Sequence, residues 1–561
     1  MLAIVFKLCH NESMNRKIYK LLLSTIVLII ACVLFVACIP TLPTSTEETL
    51  SDASDSSTSS YVPKPPPERS VLNNYARGVG YSFRNSPQGS SSDLHTADDF
   101  RLLQEGEHGI GWFYNWAVQP GSDLVESEAN YHNVNFVPMN WGQSMSDAGE
   151  NNIRNFVNRQ RERGIEVRYL RTMNEVNITN QGGGPNGVTP QHFATNPNSW
   201  PRMLRLAREL DLKIISPALA HGNVGGANSR FAGEQGGVTW IVEFFQEIIR
   251  LDNPERYGTI EDIHAISVHT YTSWPSHFKV FIERFHNTLY EEFGVRVPIW
   301  VTEWCAWYYI QWGYTNPAHV AWSRPYFTRE NGVRWQAWHM SQTVAWMEQS
   351  PFVDKYAWFI PKRGVTSAAY PMMELLTNTT PPQLTELGII YTNMSVFDQD
   401  YWFRANEIID IAQMTRNNIY EWVGCLDEGT RYGFSESVNF WPVTDTDTSA
   451  GALEVRDLAG GRWIEFQIYV ERTDFYVLDL RYRATVSSSI SVIIDGNSQE
   501  SVLHSSNWDT TSIDLGVLEK GYHTLRIVGN GPRVSTGWPD VQNNHNNNLM
   551  LNWMQLTGFS Q

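Results

Sequence analysis

Cysteine is scarce in this sequence of 561 residues, which contains five. Three of them, Cys9, Cys32 and Cys38, lie near the N-terminus, and Cys305 and Cys425 are far apart in the rest of the chain. No group of cysteines has the spacing of a metal site, and two distant thiols do not make a disulfide framework. The sequence therefore predicts no metal centre and no cofactor, and a fold that does not depend on disulfides.

An excess of basic residues is also missing. The chain has 42 Lys and Arg against 59 Asp and Glu, a formal net charge of −17. Proteins that bind phosphate backbones release counterions through basic patches, so this balance argues against a nucleic-acid partner. Aromatic residues are abundant instead, with 22 Trp, 24 Tyr and 25 Phe. Many of them must be core, but their flat faces also suit apolar ligand surfaces such as sugar rings.

The N-terminus has the pattern of a targeting segment. A basic stretch, "MNRKIYK" (14–20), precedes the apolar run "LLLSTIVLIIACVLFVA" (21–37), and Cys38 follows directly. Residues 1–38 resemble a bacterial lipoprotein signal, which implies acylation of Cys38 after cleavage and makes Met14 a better start than Met1. A single membrane anchor is the alternative. Both predict a cell-surface or secreted protein whose only membrane contact is its N-terminus.

Residues 39–74 are rich in Ser, Thr and Pro, which is typical of a solvated, disordered tether. From 75 to 395 the chain alternates β-like runs with amphipathic helical stretches. The runs are 78–83, 110–116, 135–141, 167–173, 213–220, 265–271, 298–304 and 355–360. Eight strands with helix-length connections predict an α/β fold, a (β/α)8 TIM barrel. A doubly wound nucleotide-binding sheet would need a glycine-rich turn after its first strand, and none is present.

The texture changes over residues 396–561, where short alternating runs are separated by turn residues. "RWIEFQIYV", "YVLDLRYRA", "SISVIID", "HTLRIVG" and "LMLNWMQL" read as strands of an all-β jelly-roll sandwich. "IIDGN" marks a turn between two of them.

Two carboxylates end strands of the predicted barrel, where functional residues gather. Glu175 follows the fourth strand and Glu303 the seventh, so the two face each other across the mouth. Glycoside hydrolysis needs such a pair, one protonated and one ionised, and a separation of about 5–5.5 Å would mean a retaining mechanism.

Other side chains cluster at the same ends. Asn174 can bond a sugar 2-hydroxyl through its amide, and His269 and Tyr271 can hydrogen-bond Glu303 and orient it. We also expect Asn115 and Trp304 to contact substrate, although a core position is an equal alternative for Trp304 and likewise for Trp116 and Trp141.

These motifs resemble the clan A retaining glycoside hydrolases. More narrowly, "GWFYNW", "FVPMNWG", "SPALA", "SVHTY" and "VTEW" resemble glycoside hydrolase family 128, endo-β-1,3-glucanases, over residues 77–390. The resemblance implies Glu175 as acid/base and Glu303 as nucleophile, with Trp116, Trp141 and Trp358 as sugar platforms or wall residues. One position departs from the family, because Val176 stands where Pro usually follows the catalytic Asn-Glu.

The C-terminal region resembles a family 6 carbohydrate-binding module. The stretches that match are "GGRWIEFQIYV", "ISVIIDG", "NWDTTSIDLGVLEKGYHTLRI" and "LNWMQL". The resemblance implies that Trp508 stacks on sugar, with Trp463 as a second candidate. Asn552 replaces an acidic residue of the family's calcium site, so we predict no metal there.

The sequence thus predicts a monomeric, tethered enzyme that cleaves internal β-1,3 linkages of a glucan with retention. Two alternatives stay open. The same two glutamates could act on another β-glycan such as agar, porphyran or mannan, or the chain could be a surface lectin that binds glycan without cutting it.

Overall fold

The structure is a computed structural model that describes most of the chain beyond the predicted tether. The described residues are 75–81, 96, 98–105, 108–179, 181–182, 187–221, 231, 235–272, 274–306, 329–362, 372–396, 401–414, 416–417, 438–443, 451–456, 458–531 and 549–559. The predicted signal segment with Cys38, the tether and Cys425 lie outside them. Among the described residues, no helix is long and apolar enough to cross a lipid bilayer.

A parallel sheet forms the first part of the fold. Its strands are β1 (Arg77–Gly80), β2 (Trp112–Tyr114), β3 (Asn135–Phe136), β4 (Tyr169–Arg171), β5 (Lys213–Ile215), β6 (Leu219–Ala220), β7 (Ile263–Thr270), β8 (Ile299–Trp304) and β9 (Val353–Phe359). They are arranged in the order β3-β2-β1-β9-β8-β7-β5-β4, with β6 beside β7. Each predicted run contains a strand, but the fifth is split into β5 and β6 by Pro217, which has no amide hydrogen for the ladder.

Backbone hydrogen bonds link the two terminal strands of this sheet. The Arg171 amide donates to the Pro138 carbonyl (2.9 Å), and the Asn140 amide donates to the Arg171 carbonyl (3.1 Å). The sheet therefore curls, as in a TIM-like barrel. A cluster of buried side chains from neighbouring strands fills its interior, namely Trp112, Tyr114, Val137, Met139, Tyr169, Ile215, Ala265, Trp300 and Ala357.

Helices connect the parallel strands. They are α1 (Asp99–Glu105), α2 (Asp123–Tyr131), α3 (Asp147–Glu162), α4 (Pro190–Thr195), α5 (Trp200–Glu209), α6 (Gly236–Leu251), α7 (Pro254–Tyr257), α8 (Pro275–Phe293), α9 (Arg329–Gln349) and α10 (Glu386–Asn393), with a short 3-10 helix at Ile260–Asp262. α3 shows the sequence logic: Ser146 caps its first turn by accepting from the Gly149 amide, and Ile153, Phe156 and Val157 bury one face.

A mixed sheet of many strands forms the second part. The strands of this part are β10 (Ser395–Val396), β11 (Phe403–Arg404), β12 (Ile408–Asp410), β13 (Gln413–Met414), β14 (Arg416–Asn417), β15 (Asn439–Pro442), β16 (Leu453–Arg456), β17 (Trp463–Val470), β18 (Asp474–Ile494), β19 (Asn497–Leu518), β20 (Gly521–Gly529) and β21 (Leu549–Gly558). β10 and β13 pair only with each other, and the remaining strands form the mixed sheet. β18 and β19 form a long hairpin whose turn is Asp495-Gly496, both with positive φ. This confirms the turn expected from "IIDGN".

Candidate active site

The two predicted carboxylates meet at the C-terminal ends of the parallel strands. Glu175 lies in the turn that follows β4, and Glu303 is the penultimate residue of β8. His269, near the end of β7, is the register partner of Glu303 across the parallel ladder. The parallel sheet thus brings residues that are distant in sequence into one cluster. This agrees with the tendency of barrels to place functional residues at the C-terminal ends of their strands.

His269 bridges the two carboxylates. Its Nδ1 lies 3.1 Å from Glu175 Oε1 and 3.4 Å from Glu303 Oε2. One carboxylate oxygen of each glutamate and the ring nitrogen all lie within 4.8 Å of one another. Glu175 and Glu303 are 7% and 3% exposed, so the pair is held in a nearly dry pocket.

Glu303 has several hydrogen-bond donors around it. Trp116 donates from Nε1 to Oε1 (2.7 Å), and the Tyr271 hydroxyl donates to Oε2. The Tyr114 hydroxyl lies 3.1 Å from Oε1 and 2.8 Å from the Thr302 carbonyl oxygen, so its single hydrogen is shared between them. Donors stabilise the ionised form of a carboxyl group, and Glu303 is therefore built to carry charge.

Glu175 has a different environment. Its hydrogen-bonding neighbour is His269, and burial raises its pKa to about 7. Burial also raises the pKa of Glu303 above its ordinary value, while His269 and the hydrogen bonds from Tyr271 and Trp116 oppose that rise. Burial lowers the pKa of His269 to about 4, so its ring is neutral near pH 7. The surroundings thus favour the protonated form of Glu175 and give donors to the ionised form of Glu303, the division of labour that acid-base chemistry on a glycoside needs.

Proton sharing suits this cluster better than a metal ion does. Glu175, His269 and Glu303 are close enough to surround a cation. The lone pairs of Glu303, however, already accept from Trp116 and Tyr271, and donors on an oxygen compete with coordination.

Two residues of the site have backbone conformations that L-amino acids rarely adopt. Trp116 has φ 58° and Glu175 has φ 39°. Such left-handed conformations persist where the surrounding structure fixes them, and they cluster at functional sites. Gly80 provides the room, because a Cβ there would lie 3.0 Å from the Tyr114 hydroxyl and 3.2 Å from the Trp116 ring.

The predicted substrate contacts fall into two groups. Trp141 is 41% exposed, and Trp116 is half-buried beside Glu303, so both present surface at the strand ends. Asn174 is buried, with Nδ2 donating to Gln181 (3.2 Å) while its Oδ1 has no partner among the described residues. Asn115 is instead occupied with its own turn, donating to the Gln119 carbonyl and accepting from the Ala117 amide.

Trp304 and Trp358 lie in the core. Both are fully buried, their ring centroids are 4.5 Å apart, and Trp358 donates from Nε1 to the Met373 carbonyl (2.7 Å). This placement corrects the expectation that Trp358 contacts sugar and favours the core alternative for Trp304, because a side chain with no exposed surface has no face to offer. They support the site from beneath.

Tyr114 and Arg171 received no role from sequence reasoning. Tyr114 ends β2 as the "Y" of "GWFYNW", and its position among polar strand ends was the available signal. Arg171 ends β4 inside the sheet, and an arginine within an apolar strand run carries no signal of its own.

The two aromatic candidates in the mixed sheet both lie against arginines. Trp508 is half-buried, with the guanidinium carbons of Arg481 and Arg483 at 4.7 and 5.4 Å from its ring. Trp463 is also half-buried and lies 4.1 Å from the guanidinium carbon of Arg526. The sheet thus keeps both rings partly open and fixes their orientation.

The carboxyl pair at the ends of parallel strands, with the two groups in unlike surroundings, is the arrangement of an enzyme that hydrolyses glycosidic bonds. Residues 88–391, more than half of the chain, match the family described as glycosyl hydrolase catalytic core. The chain belongs to this family and is a glycoside hydrolase. No curated protein matches the sequence.

Solved structures similar to the chain cover its two parts separately. The first part is similar to a family 128 (subgroup II) endo-β-1,3-glucanase from Sorangium cellulosum, with 21% identity, 56% of this chain and 97% of that chain covered, and a TM-score of 0.38. A subgroup I enzyme from Amycolatopsis mediterranei in complex with laminaritriose has 18% identity, coverage of 57% and 98%, and a TM-score of 0.35. The second part is similar to a β-1,3-glucan-binding family 6 module from Bacillus halodurans, with 11% identity, coverage of 28% and 99%, and a TM-score of 0.21.

Proposed function

We propose that this glycoside hydrolase cleaves internal β-1,3 linkages of a glucan with retention of anomeric configuration. The observation that carries the proposal is the unequal treatment of two adjacent carboxyl groups. Glu303 is surrounded by the donors Trp116, Tyr271 and Tyr114, whereas the one hydrogen-bonding side chain beside the buried Glu175, in the part of the chain that the structure describes, is His269. Their proximity, within 4.8 Å through one oxygen each, fits the short separation of retaining enzymes, about 5–5.5 Å between carboxyl groups.

In the first step Glu303 attacks the anomeric carbon. The new bond from its carboxylate oxygen forms as the glycosidic C–O bond breaks, and Glu175 transfers its proton to the leaving oxygen. The buried Asn174 Oδ1 accepts from the sugar 2-hydroxyl, which would satisfy an oxygen that has no partner among the described residues.

In the second step Glu175, now ionised, removes a proton from water. The water oxygen bonds the anomeric carbon, the bond to Glu303 breaks, and both carboxyl groups return to their starting states. Neutral His269 contacts both glutamates through Nδ1. It can therefore hydrogen-bond whichever glutamate is ionised at each step, without becoming charged itself.

The test of these roles uses Glu303→Ala, Glu175→Ala and the exposed-surface control Glu162→Ala in the presence of azide. Glu303→Ala should lose turnover and, with azide and an activated substrate, release an α-glycosyl azide. Glu175→Ala should lose roughly 10²–10⁴-fold on unactivated glucan and release a β-glycosyl azide. Full turnover by either variant, or exchanged azide products, would refute the assignment.

The family 128 motifs of the sequence support a β-1,3-glucan as substrate, and the residue after Glu175 departs from them. The Val176 amide donates to the Ala218 carbonyl (3.2 Å), a bond that the family's usual Pro could not make. This difference favours another β-glycan as the second candidate. Product analysis on laminarin, agar, porphyran and mannan separates these two substrate classes. Binding to a polysaccharide without release of products from any of them would indicate a lectin.

We also propose the finer architecture and location of the chain. The parallel sheet would be a closed (β/α)8 barrel over residues 75–395, and residues 396–561 a jelly-roll carbohydrate-binding module, in a monomer. Acylation of Cys38 would tether it outside the cytoplasmic membrane. Labelled palmitate incorporated by the wild type and lost in Cys38→Ala tests the anchor, and light scattering tests the monomer.

A further inference from the structure

Arg171 is a buried cation directly beneath the carboxyl pair. It ends β4, is 1% exposed, and donates from Nη2 to Thr302 Oγ1 (2.9 Å) and Ser267 Oγ (3.3 Å). Its guanidinium carbon lies 3.8 Å from the centre of the Tyr114 ring. The side chain thus lies inside the sheet, in contact with a residue that itself reaches Glu303.

This cation has no carboxylate partner in the part of the chain that the structure describes. Among the described residues, no carboxylate oxygen lies within salt-bridge distance of Arg171, and its Nε and Nη1 have no acceptor. Burial lowers the pKa of the guanidinium, which nevertheless stays charged in proteins. A buried charge without a direct partner is strongly unfavourable, so the site needs a negative charge nearby.

Tyr114 connects the cation to Glu303. The guanidinium lies over the face of the ring, where the cation–π attraction acts, and withdraws electron density from the hydroxyl. That hydroxyl lies 3.1 Å from Glu303 Oε1. A more acidic hydroxyl is a stronger donor to an anion, so the contact favours a charged Glu303.

His269 is the second connection. Its Nε2 lies 3.5 Å from Arg171 Nη2, and an arginine nitrogen can only donate. The Nε2 atom facing it is therefore unprotonated, and the ring hydrogen is on Nδ1, which points at Glu175 and Glu303. The like charge of Arg171 also opposes a second proton on the ring.

We propose that Arg171 is a positioning residue that, through Tyr114 and His269, holds the single negative charge of the carboxyl pair on Glu303. The inference rests on the proposed function only for the roles of the two glutamates. The titratable and charged groups that face Glu303 are Tyr114 from β2, Arg171 and Glu175 from β4 and its turn, and His269 and Tyr271 from β7 and the segment after it. From β9, the neighbouring ring of Phe359 does not titrate.

The first experiment measures kcat/KM against pH for full-length Arg171→Met, Arg171→Lys and the control Thr302→Val. Thr302→Val removes a hydrogen-bond partner of the guanidinium but leaves the charge. The acid limb of the profile is where Glu303 takes up a proton. In Arg171→Met this limb should move up by about one pH unit, because loss of a cation raises the pKa of a nearby carboxyl group. Arg171→Lys should restore the limb, and Thr302→Val should leave it in place. An acid limb that stays fixed in a folded Arg171→Met enzyme would overturn the inference.

The second experiment needs no change at position 171 and no substrate. In wild-type protein labelled with ¹⁵N-histidine, the His269 signal is assigned by its loss in His269→Asn. A protonated Nδ1 and a bare Nε2 are expected, and a proton on Nε2 would overturn the inference even if glucan is cleaved. Failure to cleave β-1,3-glucan with the expected tautomer intact would instead contradict the proposed function.

Discussion

Glu175 and Glu303 have the same side chain in different surroundings, and this difference predicts the pH dependence. Burial raises the pKa of Glu175 to about 7, so its acid form is lost as the pH rises through that value. The kcat/KM for soluble β-1,3-glucan should then fall about tenfold for each further pH unit, since the general acid must be protonated. The alkaline limb of this profile reports an apparent pKa of the coupled carboxyl pair.

Glu175→Gln provides the control for this profile. The amide cannot titrate, so the residual activity of the variant should lack the alkaline limb. An unchanged limb in Glu175→Gln would assign it to another group.

The donors on Glu303 Oε1 supply a second prediction at the residue scale. Trp116→Phe removes a hydrogen bond of 2.7 Å to the carboxylate, and Tyr114→Phe removes the shared hydroxyl. Hydrogen bonds to charged groups contribute about 1.5–3 kcal/mol, so each variant should lose roughly 10–100-fold in kcat. Steady-state kinetics on soluble oligomers measures the loss.

Trp141→Phe is the matched control for Trp116→Phe, because Trp141 is exposed and none of its described hydrogen bonds reaches Glu303. Its effect should fall on KM more than on kcat. Equal kcat losses in Trp116→Phe and Trp141→Phe would show that the hydrogen bond from Trp116 has no special role in catalysis.

The carboxylates and two of their partners, His269 and Tyr271, could be predicted from the sequence, whereas Tyr114 and Arg171 could not. Glu175 and Glu303 each follow a recognisable strand run, and strand ends are where a barrel places its functional groups. The roles of Tyr114 and Arg171 depend on which interior side chains stack across the sheet. Trp358 was expected to contact sugar and is buried, since a strand-end tryptophan can turn either to the mouth or into the core.

At the scale of elements, hydrogen bonds from residues 176 and 177 to neighbouring segments hold the turn after β4. Val176 donates to Ala218 and accepts from Val188, and the Asn177 side chain bonds the Ala220 backbone on both sides. These contacts fix the left-handed Glu175 in place. They use an amide at position 176, which explains structurally why Val occupies a position where the related family has Pro.

Val176→Pro should therefore displace Glu175. Proline removes the donor to Ala218 and restricts the residue before it to extended backbone, away from the φ of 39° that Glu175 adopts. We expect at least a tenfold loss in kcat on soluble oligomers. Val176→Ala keeps the amide and should retain most of kcat despite lost packing, so a similar kcat loss in both variants would contradict the backbone argument.

Strand positions were the most predictable elements because β-branched and aromatic runs separate them clearly from the helices. The break between β5 and β6 was not expected, although Pro217 lies within the predicted fifth run. In the C-terminal part the turn "IIDGN" correctly placed the β18–β19 hairpin, since Asp-Gly suits positive φ at both positions. The full order of that sheet depends on non-local pairing that periodicity does not encode.

At the scale of the whole molecule, the two parts are in contact. In α9, Gln342 donates from Nε2 to the Val438 carbonyl (2.8 Å), and Ser341 Oγ accepts from the Phe440 amide (3.3 Å) at β15. The sugar-binding candidates of the mixed sheet are therefore attached to the catalytic part by hydrogen bonds as well as by the chain.

Trp508→Ala in the full-length chain tests the contribution of the mixed sheet. We expect adhesion to insoluble β-1,3-glucan to weaken about tenfold, which corresponds to 1.4 kcal/mol, while cleavage of soluble oligomers is unchanged. Pull-down isotherms measure the adhesion, with the exposed Tyr131→Ala as control. Unchanged adhesion would remove Trp508 as a sugar platform, and Trp463→Ala would then be the next variant.

The most direct test of the central claim is to trap the covalent intermediate on the enzyme. An activated β-1,3-linked disaccharide with fluorine at C2 reacts in the first step but is slow in the second, so the glycosyl-enzyme accumulates for peptide mapping by mass spectrometry. Our account predicts one added glycosyl group, on the peptide that contains Glu303 and at its carboxylate. An adduct on Glu175 or another residue, or none while the probe is turned over, would contradict it.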